Sequence, residues 1–142
     1  MRVMAIVKAS KDSESGRMPD PAILEAMGKF NEEIVKAGVL LAAEGLMASK
    51  DGKRIRFSGK NRTVIDGPFA ETKELIAGFW ILQVKDMDEA VAWMRKAPNP
   101  HGEDSDVELR PIIELEDFAD LMSPDHVQRV KDFRGPYDPK GK

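Results

Sequence analysis

The segment that most constrains the fold is the apolar run Ile76–Val84, which reads IAGFWILQV. Successive residues of a strand point to opposite faces of a sheet, and both sets are largely apolar here. One set is Ile76, Gly78, Trp80, Leu82 and Val84, and the other is Ala77, Phe79, Ile81 and Gln83. A strand of this kind needs cover on both faces. We therefore expect it to be the central, doubly buried strand of a sheet.

A first strand and a first helix precede this run. Residues 3–7 (VMAIV) are apolar, which suits a strand buried on both faces. Asp20 and Pro21 supply an N-cap and a first helical residue. Apolar residues then recur at helical spacing as far as Gly38, a typical glycine at the end of a helix. These residues are Ile23, Met27, Phe30 and Ile34.

A second strand and a hairpin follow that helix. Residues 39–43 are apolar and predict a strand that ends at Glu44 and Gly45. Residues 54–57 and 63–66 then flank the turn residues Ser-Gly-Lys-Asn. Turn residues between two short alternating runs are typical of a β-hairpin.

The last part of the predicted domain contains a second helix and a final strand. Asp86 with Glu89 three residues later predicts a helix that starts with a capping box and ends before Pro98. Residues 107–115 alternate as a strand, and residues 116–122 add a short helix. We assign residues 1–122 to one domain and interpret the polar residues 123–142 as an extended tail.

The resulting order is β-α-β-hairpin-β-α-β, which predicts an α+β fold of the ferredoxin-like split βαβ type with an inserted hairpin. Two helices cover only one face of such a sheet. Because the strands are apolar on both faces, we expect a second copy of the chain to cover the other one. The sequence therefore predicts a homodimer.

Composition excludes several classes of function. The net charge of −3 gives no electrostatic case for binding nucleic acid, and the absence of cysteine excludes disulfides and thiolate metal sites. No apolar run approaches the roughly 20 residues that cross a membrane. The N-terminus becomes polar too soon for a secretory leader, so we expect a cytoplasmic protein.

A metal or cofactor is not expected either. His101 lies in a loop with Glu103 and Asp104 as its only local carboxylates, and a metal site would need a second histidine nearby. We interpret His101 as a surface residue. No glycine-rich phosphate loop or dinucleotide motif is present in the sequence.

Several short stretches carry a family resemblance. They are residues 66–69 (DGPF), 71–74 (ETKE), 78–79 (GF), 30–33 (FNEE), 37–40 (AGVL) and 107–111 (VELRP). In their order along the chain, these stretches resemble those of the DGPF-type, YCII-related proteins. The resemblance extends over residues 1–115. It implies a ferredoxin-like fold that pairs into a dimeric α+β barrel.

The same resemblance implies less about activity. Many relatives have no assigned activity, and some DGPF-type proteins are associated with extracytoplasmic-function sigma factors. A few members of the wider group are enzymes acting on small cyclic compounds, with a His–Asp pair proposed as the acid/base unit. Their histidine lies on the first helix, where this chain has Met27 and Phe30, and no histidine precedes His101.

Two carboxylates are the candidate catalytic groups. Asp66, beside the Gly-Pro turn, is either a general base facing a cleft or a turn residue whose carboxylate accepts backbone N–H groups. Glu44 ends an apolar strand next to Gly45, which lets a ligand or another backbone approach closely. Its alternative role is that of a strand end that has reached solvent.

Four other residues are candidate ligand contacts. Arg110 is either an ion-pair anchor or a clamp for a carboxylate of the ligand. Lys73 either binds an anionic group of the substrate or belongs to a solvated polar surface. Trp80 either packs in the core or an interface, or forms the aromatic wall of a ligand site. Phe69, beside the turn, is the fourth candidate contact.

Three classes of function agree with these features. The chain binds or transforms a small organic molecule by carboxylate acid/base chemistry in a cleft at the sheet or dimer interface, or it is a non-enzymatic accessory protein of a sigma factor. The third alternative is a structural dimer module without a site. The sequence leaves open whether the protein is an enzyme.

Overall fold

The structure, a computed structural model, describes residues 1–133 and has an α+β architecture. The strands are β1 (Arg2–Lys8), β2 (Leu40–Gly45), β3 (Lys53–Ser58), β4 (Asn61–Asp66), β5 (Ile76–Gln83) and β6 (Val107–Pro111). The helices are α1 (Lys11–Glu14), α2 (Pro21–Lys36), α3 (Met87–Met94), α4 (Leu115–Phe118) and α5 (Pro124–Phe133). Single 3₁₀ turns lie at Ser49–Asp51, Thr72–Glu74 and Ala119–Leu121.

Four of the strands form one antiparallel sheet in the order β2-β5-β1-β6. The apolar strand β5 lies inside this sheet, between β2 and β1, as its composition predicts. Its register places Leu82 opposite Val3 of β1 and Trp80 opposite Ala43 of β2. The strands β2 and β6 are the two edges of the sheet.

The main core lies between this sheet and the helices α2 and α3. Buried side chains of β1 and β5 form one cluster with those of α2 and α3. Its members are Val3, Ala5, Val7, Phe30, Ile34, Val39, Trp80, Leu82, Val84 and Ala90. The helical pattern that includes Phe30 and Ile34 therefore faces the sheet, as predicted.

The opposite face of the sheet, which we call the open face, is only partly covered within the chain. Residues of β1 alternate between buried and half-buried, and Met4 and Ile6 are among the half-buried ones. Met4 lies opposite Ile81 and Ile6 lies opposite Phe79 on the neighbouring strand β5. Within the chain, β1 is therefore buried on one face and half-buried on the other. The expectation of burial on both faces is met on one face.

The predicted helix ends are largely confirmed. Gly38 has φ +72°, and the helix closes through bonds from Val39 N to Ile34 O and from Gly38 N to Val35 O, both 2.9 Å long. This is the Schellman arrangement, in which glycine tolerates the left-handed backbone. Asp86 accepts a bond from the backbone N–H of Glu89 at 2.9 Å. The carboxylate of Glu89 accepts the backbone N–H of Lys85 at 2.6 Å instead of that of Asp86, so only half of the predicted capping box forms.

Asp20 occupies the N-cap position of α2, but its side chain makes no capping hydrogen bond. Pro21 is the first helical residue, as predicted.

The predicted hairpin is present as a separate two-stranded sheet of β3 and β4. Lys53 pairs with Asp66 at its base and Ser58 with Asn61 at its tip, where Gly59 has φ +57°. Every residue of both strands is exposed. The hairpin therefore projects from the domain as an arm, which we call the hairpin arm (residues 53–66).

Two predictions for the end of the chain are wrong. The last strand ends at Pro111 instead of residue 115, and a helix begins at Leu115, where Asp117 accepts the backbone N–H of Glu114 at 2.7 Å. Part of the expected extended tail is the helix α5, although none of its residues is buried. Residues 134–142 of that tail lie outside the described residues.

Within residues 1–133, no helix is both long enough and apolar enough to cross a membrane.

Candidate functional site

A cleft of about 880 Å³ lies between α2 and the ends of β2 and β5. Residues 10–20, which include α1, form another of its walls, and the loop of residues 100–103 closes a further side. These segments are distant in sequence, and the sheet brings them together because β2 ends beside the start of β5. The cleft is the principal candidate for a ligand site among the described residues.

The inner wall of the cleft is apolar and contains Trp80 together with Met27 of α2. Trp80 is 4% exposed, and its indole N–H donates to Oδ1 of Asn31 at 2.8 Å. Its ring also meets that of Phe30 edge-on, with the centroids 6.1 Å apart. A buried aromatic fixed by a hydrogen bond at one end gives the cleft a rigid wall.

The charged groups around the cleft are mostly acidic. Five carboxylates line it, from Asp12, Asp20, Glu44, Asp51 and Glu103, and two cationic side chains accompany them, from Arg17 and Lys50. With histidine neutral, these seven groups sum to −3. The cleft therefore disfavours an anionic ligand and favours an uncharged or cationic one.

Glu44 lines the cleft at the end of β2 and is exposed. It lies opposite Phe79 of β5, one residue after the Ala43–Trp80 pair, so its side chain leaves the sheet on the open face, at the edge of the cleft. Its position depends on Gly78 of β5, because a Cβ on Gly78 would lie 2.7 Å from the backbone oxygen of Glu44. Contacts this short to backbone are not tolerated, so glycine allows β2 and β5 to approach closely here.

His101 lies in the cleft wall and is half-buried. Its Nε2 is 2.7 Å from the backbone oxygen of Lys8, and its backbone N–H donates to Oδ1 of Asn99 at 2.9 Å. A carbonyl oxygen can only accept, so Nε2 is the protonated nitrogen. In the neutral ring, Nδ1 is then the basic nitrogen.

His101 is therefore a half-buried residue of the cleft wall, so its interpretation as a surface loop residue holds only in part. The cleft wall forms only when the loop that carries His101 packs beside the end of β1, 93 residues earlier in the chain. The loop of residues 10–20, another part of the wall, was likewise not recognised from the sequence. Its Ser10 and Ser13 cap each other at the start of α1, which is a local signal that the sequence does contain.

The structure brings two of the predicted site residues, Glu44 and Trp80, into the same cleft. It does not place the other four in its wall. Asp66 has a side chain that is 73% exposed and forms an ion pair with Lys53 at the base of the hairpin arm. Arg110 is exposed on β6 and pairs with Glu108 at 3.2 Å.

The remaining two candidates lie near the family motif. Lys73 is exposed in the 3₁₀ turn before β5. Phe69 is half-buried, and the guanidinium of Arg54 lies 3.9 Å from its ring centroid. In this position Phe69 supports the base of the hairpin arm by a cation–π contact.

The corner formed by Asp66–Phe69 is held by its backbone and by Ser49. A Cβ on Gly67 would lie 1.7 Å from the backbone oxygen of Ser49, and Gly67 N donates to Gly52 O at 3.0 Å. The peptide bond between Gly67 and Pro68 is cis. Only glycine fits this contact. The packing of the corner therefore explains Gly67 without any catalytic role.

Ser49 also joins this corner to the wall of the cleft. Its Oγ accepts the backbone N–H of Phe69 at 3.0 Å and donates to the carboxylate of Glu14 at the end of α1. The same carboxylate accepts the backbone N–H of Ser49 at 3.0 Å. Ser49 stands between Ala48 and Lys50, which both line the cleft.

Among residues 1–133, no group of three or more His, Cys, Asp or Glu side chains is placed to hold a metal ion.

Comparison with known proteins places this architecture in a family. The model of the YCII-related domain matches residues 1–116. The chain belongs to the YCII-related family. It is also 30% identical, over 93 residues, to an uncharacterised protein of Rhizobium meliloti (strain 1021), an alignment that covers 66% of this chain and 75% of that protein. The resemblance of the DGPF and neighbouring stretches is thereby confirmed.

Proposed function

We propose that this YCII-related protein binds a small, mainly apolar organic molecule in the cleft and transfers a proton to or from it. The observation that carries the proposal is that Glu44 and His101 line one cleft together with the fixed aromatic wall of Trp80. Ligand sites are commonly apolar clefts of this size with a few polar groups. The net acidic lining favours an uncharged or cationic ligand.

The two acid/base groups have different roles in this proposal. His101, with Nε2–H held by the carbonyl of Lys8, presents Nδ1 as a base. Glu44 is a carboxylate at the exposed end of β2, where solvent can exchange its proton. The catalytic role of Asp66 remains a prediction. Its side chain pairs with Lys53 and does not line the cleft.

Binding is tested with the Trp80 indole N–H signal in nitrogen-15 NMR spectra of a Trp93→Phe variant, which has no other tryptophan. The probes are 2-tetralone, which is uncharged, and 2-naphthoate, an anion of similar size. We expect saturable shifts with the ketone and at least tenfold weaker binding of the carboxylate. Equal affinities would refute the inferred ligand charge, and no shift with either probe would refute binding of this size class.

A pair of glycine variants locates the bound probe. A Cβ at Gly45, in the cleft wall, and a Cβ at Gly28, outside it on α2, would each meet nothing within 4 Å. We expect Gly45→Phe to abolish the shift by filling the cleft and Gly28→Phe to retain it. If both variants bind 2-tetralone equally, the probe binds elsewhere.

Proton transfer is tested by exchange of the α-protons of 2-tetralone in deuterium oxide. The native protein should accelerate exchange over buffer, and His101→Gln should lose most of that acceleration, on the order of 10²-fold or more. Glu44→Gln should lose a smaller part. An exchange rate that is the same for the native protein and His101→Gln would refute the acid/base role while leaving the binding proposal intact.

We further propose that the fold is ferredoxin-like and that two copies pair through their open faces into a dimeric α+β barrel. The support is the strand order β2-β5-β1-β6 with helices on one face, and the half-buried apolar residues Met4, Ile6 and Phe79 on the other. Burial of such a face is the usual reason for isologous dimers.

Sedimentation equilibrium tests the dimer directly. We expect twice the chain mass of 15.8 kDa at micromolar concentration. Ile6→Glu, on the open face, should shift the equilibrium to the monomer. Val35→Glu, at an exposed position of α2, is the control and should leave the dimer intact. A native protein that sediments at 15.8 kDa would refute the proposal.

A further inference from the structure

The hairpin arm combines an apolar stripe with a strong positive charge. The register places Ile55 opposite Val64 and Phe57 opposite Arg62 on one face of the arm. Phe57 is 70% exposed and Val64 is 58% exposed. An isolated two-stranded hairpin is marginally stable in water, and an exposed apolar stripe on one marks a surface that binds something.

Charge indicates what the arm binds. Residues 53–66 contain five Lys or Arg and one acid, a net charge of +4. Because the whole chain carries −3, the remaining residues carry −7. The arm is therefore electrostatically complementary to the rest of a chain with this same sequence.

One part of the chain is complementary to the arm in charge and also exposes apolar side chains. The segment of residues 113–121, which we call the acidic segment, contains four acids and no base. One of the four, Glu114, pairs with Arg2 of β1 at 2.9 Å, so the charge offered to a partner comes mainly from the other three. It also exposes large apolar side chains: Ile113 is 62% exposed and Leu121 is 84% exposed. An acidic surface with apolar side chains is the complement of a basic surface with an apolar stripe.

The topology keeps these two surfaces apart within one chain. The arm leaves the sheet where the edge strand β2 ends and before β5 starts. The acidic segment begins after the other edge strand, β6, at the end of the sheet where β5 finishes, because β5 and β6 both run antiparallel to β1. The two surfaces therefore lie at diagonally opposite corners of the sheet.

A two-fold axis between two open faces can bring them together. If the axis lies along the other diagonal of the sheet, it places the arm corner of one copy over the acidic-segment corner of its partner. The strands of the two sheets then cross nearly at right angles, which is one of the two common packings of sheets. Each arm meets the partner's acidic segment, so the contact forms twice.

We propose that the hairpin arm of one copy docks on the acidic segment of a second copy and fixes the geometry of the dimer. This inference rests on the proposed dimer. Apolar contact between the stripe and residues such as Leu121 supplies stability, and the charges orient the two chains. Loss of the dimer and failure of this contact give different results in the experiment that follows.

The test is a charge exchange between the two surfaces. The arm variant is Lys60→Glu with Arg62→Glu, at the tip and on the stripe face of the arm, and the segment variant is Glu116→Lys with Asp120→Lys. Each alone should weaken the dimer by at least tenfold in 50 mM salt and by less in 500 mM salt, since screening reduces the repulsion. Circular dichroism verifies that each variant is folded.

The decisive sample is an equal mixture of the two variants. In a mixed dimer, the reversed arm of one chain meets the reversed segment of the other, and the second contact has its native charges. We expect a mixed dimer with near-native affinity, observed by native mass spectrometry. A tightly dimeric arm variant, or a mixture that is no tighter than its components, would overturn the docking while leaving the dimer. A native chain that is monomeric at every concentration would overturn the dimer itself.

Discussion

Replacement of Gly67 by alanine is the sharpest test of how the family motif is held. The added Cβ would start 1.7 Å from the oxygen of Ser49, so the two backbone segments must separate by more than 1 Å to reach even a 3.0 Å contact. That movement breaks the bond from Gly67 N to Gly52 O and the bond from Phe69 N to Ser49 Oγ, both 3.0 Å.

The cost follows from these contacts. Two hydrogen bonds contribute about 1 kcal/mol each, and the overpacking costs about 1 to 3 kcal/mol. We expect Gly67→Ala to lower the free energy of unfolding by about 3 to 5 kcal/mol. For a chain of this size, that corresponds to a melting temperature lower by about 9 to 15 °C.

Thermal unfolding followed by circular dichroism measures this effect. Gly28→Ala is the matched control, because a Cβ there meets nothing within 4 Å and the position is an exposed one in α2. Alanine in a helix interior is favoured over glycine by about 1 kcal/mol, so this variant should melt slightly higher than the native protein. A Gly67→Ala protein that melts within 2 °C of the native one, on the scale of about 3 °C per kcal/mol, would refute the reasoning.

Three further predictions concern the cleft wall, the family corner and the end of the chain. Trp80→Phe leaves Oδ1 of Asn31 without its donor and should destabilise the fold by about 1 to 3 kcal/mol in urea unfolding; an unchanged midpoint would contradict the anchoring role. Asp66→Asn removes an exposed ion pair and should change stability by less than about 1 kcal/mol. A larger loss of stability would show that the carboxylate of Asp66 holds the corner of residues 66–69. Removal of residues 123–142 should leave the melting temperature within about 2 °C, because no described residue of α5 is buried, and a larger fall would show that the tail stabilises the domain.

The elements of the fold were predictable where a local pattern carries the information. The apolar run of β5 marks an interior strand, and Gly38 marks the end of α2 because the left-handed backbone there favours glycine. The end of the chain was less predictable. Polar composition in residues 123–133 is compatible with an exposed helix as well as with an extended tail, and only the backbone hydrogen bonds distinguish them.

The candidate site was predictable only in part. Glu44 and Trp80 were found because a carboxylate at a strand end and an aromatic in a central strand are local signals. The place of His101 in the cleft wall was missed because it depends on the carbonyl of Lys8, 93 residues away. Asp66 was placed beside a cleft because a turn residue does not reveal the direction of its side chain, which here faces Lys53.

The bonds around Ser49 have a consequence for mutational screens of this family. The hydroxyl group of Ser49 links Phe69 of the DGPF motif to Glu14 of α1, and the neighbouring residues Ala48 and Lys50 line the cleft. A substitution in the motif therefore displaces the cleft wall without touching a bound molecule. Loss of binding in such a variant would therefore not show that the motif contacts the bound molecule, because the motif acts on the cleft through Ser49.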